Sequence, residues 1–142
     1  MPYIHKDTYP SNLSTIEDIK KIIIQELENH NFSADMIFDI EISLEEALYN
    51  AIVHGNGLNS LKKIGVNIII NKDCFEITIN DEGSGFDVDK LTKIDCTRTD
   101  RLLRGNGRGL FIIRKSMDEV VYNNSGKTIT MKKYTLSKGC DQ

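Results

Sequence analysis

Apolar residues recur along this chain in two rhythms, one of helices and one of strands, and the rhythms alternate. Tyr3 to Tyr9 predicts a first strand ended by Pro10, after which Ser14 and Glu17 stand at capping-box spacing. Ile16, Ile19, Ile23 and Leu27 follow at helical spacing, and the polar residues 28–31 close that helix. Ser33 predicts the cap of a second helix, whose stripe Ile37, Ile40, Leu44, Ala47 and Ala51 runs toward His54 and Gly55.

Beyond an Asn56-Gly57 turn the period changes to two. Strands are expected over Val66–Ile70 and Phe75–Asn80, joined by a short turn at residues 71–73. Residues 85–106 are largely polar, carry Arg98, Arg101 and Arg104, and show only a brief helical signal near residues 88–93, so they read as a long loop of the functional kind. Leu110, Phe111, Ile113 and Met117 mark a third helix, and strands over Glu119–Tyr122 and Lys127–Leu136 flank a turn at residues 123–126. The fold class that accommodates this order is an α/β (α+β) two-layer sandwich: a mixed, largely antiparallel sheet covered on one face by helices.

Composition narrows the class. A chain of 142 residues with 39% apolar and 27% charged residues suits one globular domain over residues 1–142. Its formal charge of −3 argues against a broad nucleic-acid surface. Three cysteines, Cys74, Cys96 and Cys140, lack ligand spacing with His5, His30 and His54, which disfavours a disulfide framework or a zinc site and fits a reducing cytoplasm. With no apolar run of membrane-spanning length and no signal-peptide core, a cytoplasmic protein is expected.

Three short stretches carry the candidate chemistry. Glu46 and Asn50 share one face of the second helix, where an amide oxygen suits Mg²⁺ and a carboxylate can accept a proton from an attacking hydroxyl. Taken alone, the pair also fits two ordinary exposed polar residues. Asp81 ends an apolar strand and precedes Gly83, Gly85 and Phe86; it either begins an Asp-Gly turn or accepts from the exocyclic amine of an adenine that approaches the glycine backbone. Gly105, Gly107 and Gly109 lead into the third helix, whose free N–H groups can bind phosphate, and Arg108 within them faces either phosphate or solvent. His54 reads as a capping or packing residue, and Glu82 and Asp87 as solvated. Gly126-Lys127-Thr128 imitates the end of a P-loop, but Val121 stands where its first glycine is required.

Together, Glu46-x-x-x-Asn50, Asp81-x-Gly83-x-Gly85-Phe86 and Gly105-x-Gly107-x-Gly109-Leu110 resemble the three boxes of the GHKL ATPase and kinase superfamily. The stretch from Glu46 to Gly55 is most similar to the bacterial anti-sigma-factor serine kinases of the RsbW and SpoIIAB type. The resemblance covers about residues 3–136 and implies a Bergerat-type sandwich, ATP and Mg²⁺ as cofactors, a lid over about residues 86–106, and a homodimer. It implies Glu46 as catalytic base and Asn50 as Mg²⁺ ligand. It assigns Asp81 to the adenine amine, Gly83, Gly85 and Phe86 to the ring side, Gly105, Asn106, Gly107, Arg108, Gly109 and Leu110 to the phosphates, and Thr130 to water-mediated support of adenine.

The expected function is a protein serine/threonine kinase and anti-sigma factor that phosphorylates an antagonist, a STAS-domain protein, and sequesters a sigma factor, with no direct nucleic-acid or membrane contact. A catalytically weak ATP-gated binding module is the alternative. A histidine-kinase ATP-binding domain is a further one, which autophosphorylation at His5, His30 or His54 would favour.

Overall fold

The computed structural model describes residues 2–83, 106–123 and 127–136, with 106–110 described as helix backbone. Among the described residues, five strands form one sheet: β1 (Tyr3–Pro10), β2 (Lys63–Ile70), β3 (Cys74–Asn80), β4 (Glu119–Asn123) and β5 (Thr128–Tyr134). Their spatial order is β1-β2-β3-β5-β4, and every pairing among them is antiparallel. The largely antiparallel sheet expected from short turns is thus antiparallel in all its described ladders. Helices α1 (Leu13–Asn29), α2 (Ala34–Tyr49) and α3 (Asn106–Ser116) complete the two-layer sandwich, and α2 packs against both of the others.

Strand alternation builds the shared core. In β2, Ile64, Val66, Ile68 and Ile70 are buried while Lys63, Asn67 and Ile69 are exposed. Registered rows run across the sheet: Ile68 opposes Ile77, Ile77 opposes Met131, and Met131 opposes Val120. A parallel row of Val66, Ile79, Ile129 and Tyr122 ends where the sheet meets the end of α2. From the helices, Ile19, Ile23 and Leu27 of α1, Ile40, Leu44 and Leu48 of α2, and Ile113 of α3 meet these rows with no exposed surface. Each such side chain contributes about 1.5–3 kcal/mol of burial free energy. Lys133 fastens the helix layer to the sheet, since its Nζ donates to Asp39 Oδ2 of α2 at 3.1 Å and to Ser116 O of α3 at 2.7 Å.

Helix starts follow the sequence in one case and depart from it in another. Ser33 Oγ accepts from Met36 N at 3.2 Å, the expected cap of α2. The capping box expected from Ser14 and Glu17 does not form. Helix α1 begins earlier, with Asn12 at its N-cap, so Ser14 already lies inside the first turn. Thr15 Oγ1 donates back to Pro10 O at 2.8 Å, and Glu17 faces Lys20 at 3.5 Å. Lys20 is buried beneath a ring of carboxylates, with Glu41 at 3.1 Å and Glu45 also bonded. At the other end, α1 closes through His30 and a left-handed Asn31 with φ 65°, as the polar residues 28–31 predict.

Candidate functional site

The chain does not stop turning at the end of α2. Residues Asn50–Gly55 continue as one π-helical turn, closed by Asn56 N–H donating to Ala51 O at 2.9 Å. Asn50 N–H still bonds Glu46 O, so Glu46 and Asn50 remain one helical turn apart on one face. Asn50 is buried with 9% of its surface exposed, and Glu46 is partly exposed. His54 is exposed and meets Tyr49 edge-on, with ring centroids 5.7 Å apart, which is the packing role expected of it.

Strand parity brings Asp81 beneath that turn. Ile79 points into the core and Asn80 away from it, so the next residue returns to the helix side. The β3–β5 ladder extends one step further, with Asp81 N–H donating to Lys127 O at 2.9 Å. Lys127 therefore stands opposite Asp81, below Ile129. Together Ala47, Asn50, Ala51, Ile79, Asp81, Tyr122, Lys127 and Ile129 line one cleft.

Backbone contact fixes the carboxylate. Asp81 Oδ1 accepts from Gly83 N at 2.8 Å. A Cβ on Gly55 would lie 2.5 Å from Asp81 Oδ2, and one on Gly83 only 1.9 Å from Gly55 O. Close approach of backbone thus requires glycine at position 83, whereas a Cβ at position 55 would meet the Asp81 side chain, which can turn aside. Burial pushes the Asp81 carboxyl above its ordinary range, opposed in turn by the Gly83 N–H, Lys127 and Lys62. Burial also pushes the Tyr122 phenol up to about 12, so it stays neutral across the physiological range.

These features fit an adenine nucleotide. Ala47, Ala51, Ile79 and Ile129 give the cleft an apolar lining, and the partly buried Asp81 carboxylate among them can accept from an amine on a ring edge. Helix α3 begins at Asn106, four residues before Leu110, so Gly107, Arg108 and Gly109 belong to its first turns rather than to a preceding loop. Backbone N–H groups at a helix start have no intrahelical acceptor and suit phosphate oxygens.

Other expected residues lie elsewhere. Thr130 is not in the cleft: it alternates with Ile129 and Met131, falls on the opposite sheet face, and its Oγ1 meets Thr78 Oγ1 at 3.1 Å. Glu82 is not merely solvated, because its Oε2 accepts from Lys63 N at 2.5 Å. Gly85, Phe86, Asp87 and Gly105, the three arginines Arg98, Arg101 and Arg104, and nearly all of the loop expected over residues 86–106 lie outside the described residues. Among the described residues no group of three or more His, Cys, Asp or Glu could hold a metal ion, and no helix is long and apolar enough to cross a membrane. Sequence reasoning missed Tyr122 and Lys127 as lining residues, since only the pairing of β5 with β3 and β4 brings them to Asp81.

Comparison with known proteins gives the chain its family. Residues 9–133 match the model of the histidine kinase-like ATPase domain. The serine-protein kinase RsbW of Oceanobacillus iheyensis is 34% identical over 115 residues, covering 78% of this chain and 73% of the relative. That of Staphylococcus aureus strain bovine RF122 is 39% identical over 106 residues, covering 70% and 67%. The chain belongs to the histidine kinase-like ATPase domain family and, within it, to the group of the RsbW serine-protein kinases.

Proposed function

We propose that this chain is a Mg-ATP-dependent protein serine/threonine kinase and anti-sigma factor, which phosphorylates a STAS-domain antagonist and otherwise sequesters a sigma factor. In this reading it works in the cytoplasm as a homodimer, without direct contact to nucleic acid or membrane. The observation that carries the reading is the meeting of Asn50, one turn beyond Glu46, with Asp81 in a single apolar-walled cleft. The relatives' name, serine-protein kinase, supports the reaction class.

Each residue then has a task. Asp81 accepts the adenine amine, while Gly83 keeps the ring-side backbone bare. Asn50 offers its side-chain oxygen to Mg²⁺, an ion that needs few protein ligands because it keeps waters and phosphate oxygens. The N–H groups of residues 106–109 receive phosphate oxygens. Bound Mg-ATP supplies the transferable phosphoryl group and the metal charge that screens it. Glu46 orients the partner's seryl or threonyl hydroxyl and takes its proton. The added phosphate, about −1.5 to −2 charges, then weakens the antagonist's interface by repulsion and desolvation.

Incubation with γ-labelled Mg-ATP and candidate antagonists tests the reading. Label on a serine or threonine of one candidate is expected. ATP binding without transfer to any candidate turns the reading toward an ATP-gated binding module.

A further inference from the structure

Asn56, the first residue beyond the π-helical turn, is only 3% exposed and is the buried centre of a polar knot whose outer members, Lys63 and Glu82, reach the surface. Its Nδ2 donates to Ser11 Oγ at 2.8 Å and to Lys63 O at 3.1 Å, and its Oδ1 accepts from Glu82 N at 2.8 Å. The amide can sit only this way round, because a backbone N–H donates and a backbone carbonyl accepts. Ser11 Oγ–H donates in turn to Lys62 O at 2.7 Å, and Lys63 N–H closes the ring by donating to Glu82 Oε2 at 2.5 Å. Glu82, the residue between Asp81 and Gly83, is therefore gripped at both its N–H and its carboxylate.

The grip bears on the cleft. Gly55 precedes Asn56 and abuts the Asp81 carboxylate, while Gly83 follows Glu82 and abuts Gly55 O. The Asn56–Glu82 bond thus joins the two backbone segments between which the carboxylate is held. We propose that Asn56 is a positioning residue, which sets the Asp81 carboxylate to read the exocyclic amine of a purine nucleotide; this rests on the nucleotide reading above. Without the bond, residues 82–83 relax away from the turn and Asp81 loses both its Gly55 wall and its fixed Gly83 donor.

Equilibrium binding of ATP and of inosine triphosphate, which carries a carbonyl in place of the amine, tests this without turnover. The parent is expected to prefer ATP, and Asn56→Ala to lower the ATP-to-inosine-triphosphate affinity ratio by at least about tenfold, the scale of one charge-assisted hydrogen bond. Ser11→Ala cuts the same knot but spares the Asn56–Glu82 bond, so it should melt lower and keep the parental ratio. An unchanged ratio in folded Asn56→Ala, or an equal loss in Ser11→Ala, overturns the assignment and leaves the nucleotide site standing. A parent that binds neither nucleotide overturns both. Amide exchange of Glu82 in the parent serves should Asn56→Ala not fold: slow exchange is expected, and exchange at the rate of an open loop overturns the proposal.

Discussion

The Asp81 carboxylate lies against the Cα of Gly55, so closely that a side chain on Gly55 would start 2.5 Å from Oδ2. This contact joins the end of the helix that carries Glu46 and Asn50 to the strand end that carries Asp81, the proposed acceptor of the adenine amine. Gly55→Ala should displace a carboxylate that can rotate aside, weakening ATP binding while the fold survives. Gly83→Ala meets Gly55 O at 1.9 Å, a backbone atom with no such freedom. Overpacking of that kind costs about 1–3 kcal/mol. Thermal melts and ATP titration should rank Gly83→Ala as the more damaging in both; the reverse order contradicts the packing described.

Burial of the Asp81 carboxyl makes its ionised form costly. Burial raises its folded-state pKa, so the folded chain holds this proton more tightly than the unfolded one. Its contribution therefore favours folding at low pH and is lost as pH rises through the window just above the ordinary value of 3.8. Asp81→Asn should consequently melt above the parent at pH 7 without nucleotide, with the gap closing as pH falls below about 4, and should lose most ATP affinity. A variant that melts lower at pH 7 is inconsistent with this sign.

Lys20 presents the opposite case. Its bond to Glu45, opposed by burial and reinforced by Glu41, holds its pKa above the ordinary lysine value. A raised lysine contributes fully below its unfolded pKa and loses that contribution only as pH rises through the folded value, so it is fully present at neutral pH. Lys20→Met leaves Glu17, Glu41 and Glu45 facing one another. Because these carboxylates are partly exposed, the expected loss is about 1–2 kcal/mol, well below that of a fully buried pair. Denaturant melts should show this deficit shrinking in high salt as the remaining repulsion is screened.

Much of this was legible in the chain because local pattern and tertiary contact agree. The stripe Ile37, Ile40, Leu44, Ala47 and Ala51 predicts α2, and its polar partners Glu46 and Asn50 keep their expected shared face. What escaped depends on partners distant in sequence. Asn56 reads as a turn residue, yet its amide joins Ser11, Lys63 and Glu82. Lys127 reads only as part of a false P-loop, yet it lines the cleft, because the β3–β5 register places it opposite Asp81. Thr130 fails by parity: one residue along a strand reverses the face, and alternation with Ile129 and Met131 carried that signal. Ser14 fails as a cap because α1 starts at Leu13, a shift well within the fraying of helix ends.

In the proposed function one helix end carries both Asn50, which holds the metal of Mg-ATP, and Glu46, the base that drives transfer. Phosphoryl transfer to a STAS-domain antagonist by Glu46→Gln, with Mg-ATP affinity measured on the same sample, tests it most directly. Retained affinity with transfer reduced by about 10²–10⁴-fold, the usual worth of a general base, is the predicted result. Transfer by Glu46→Gln at the parental rate contradicts the assignment of Glu46 as the base.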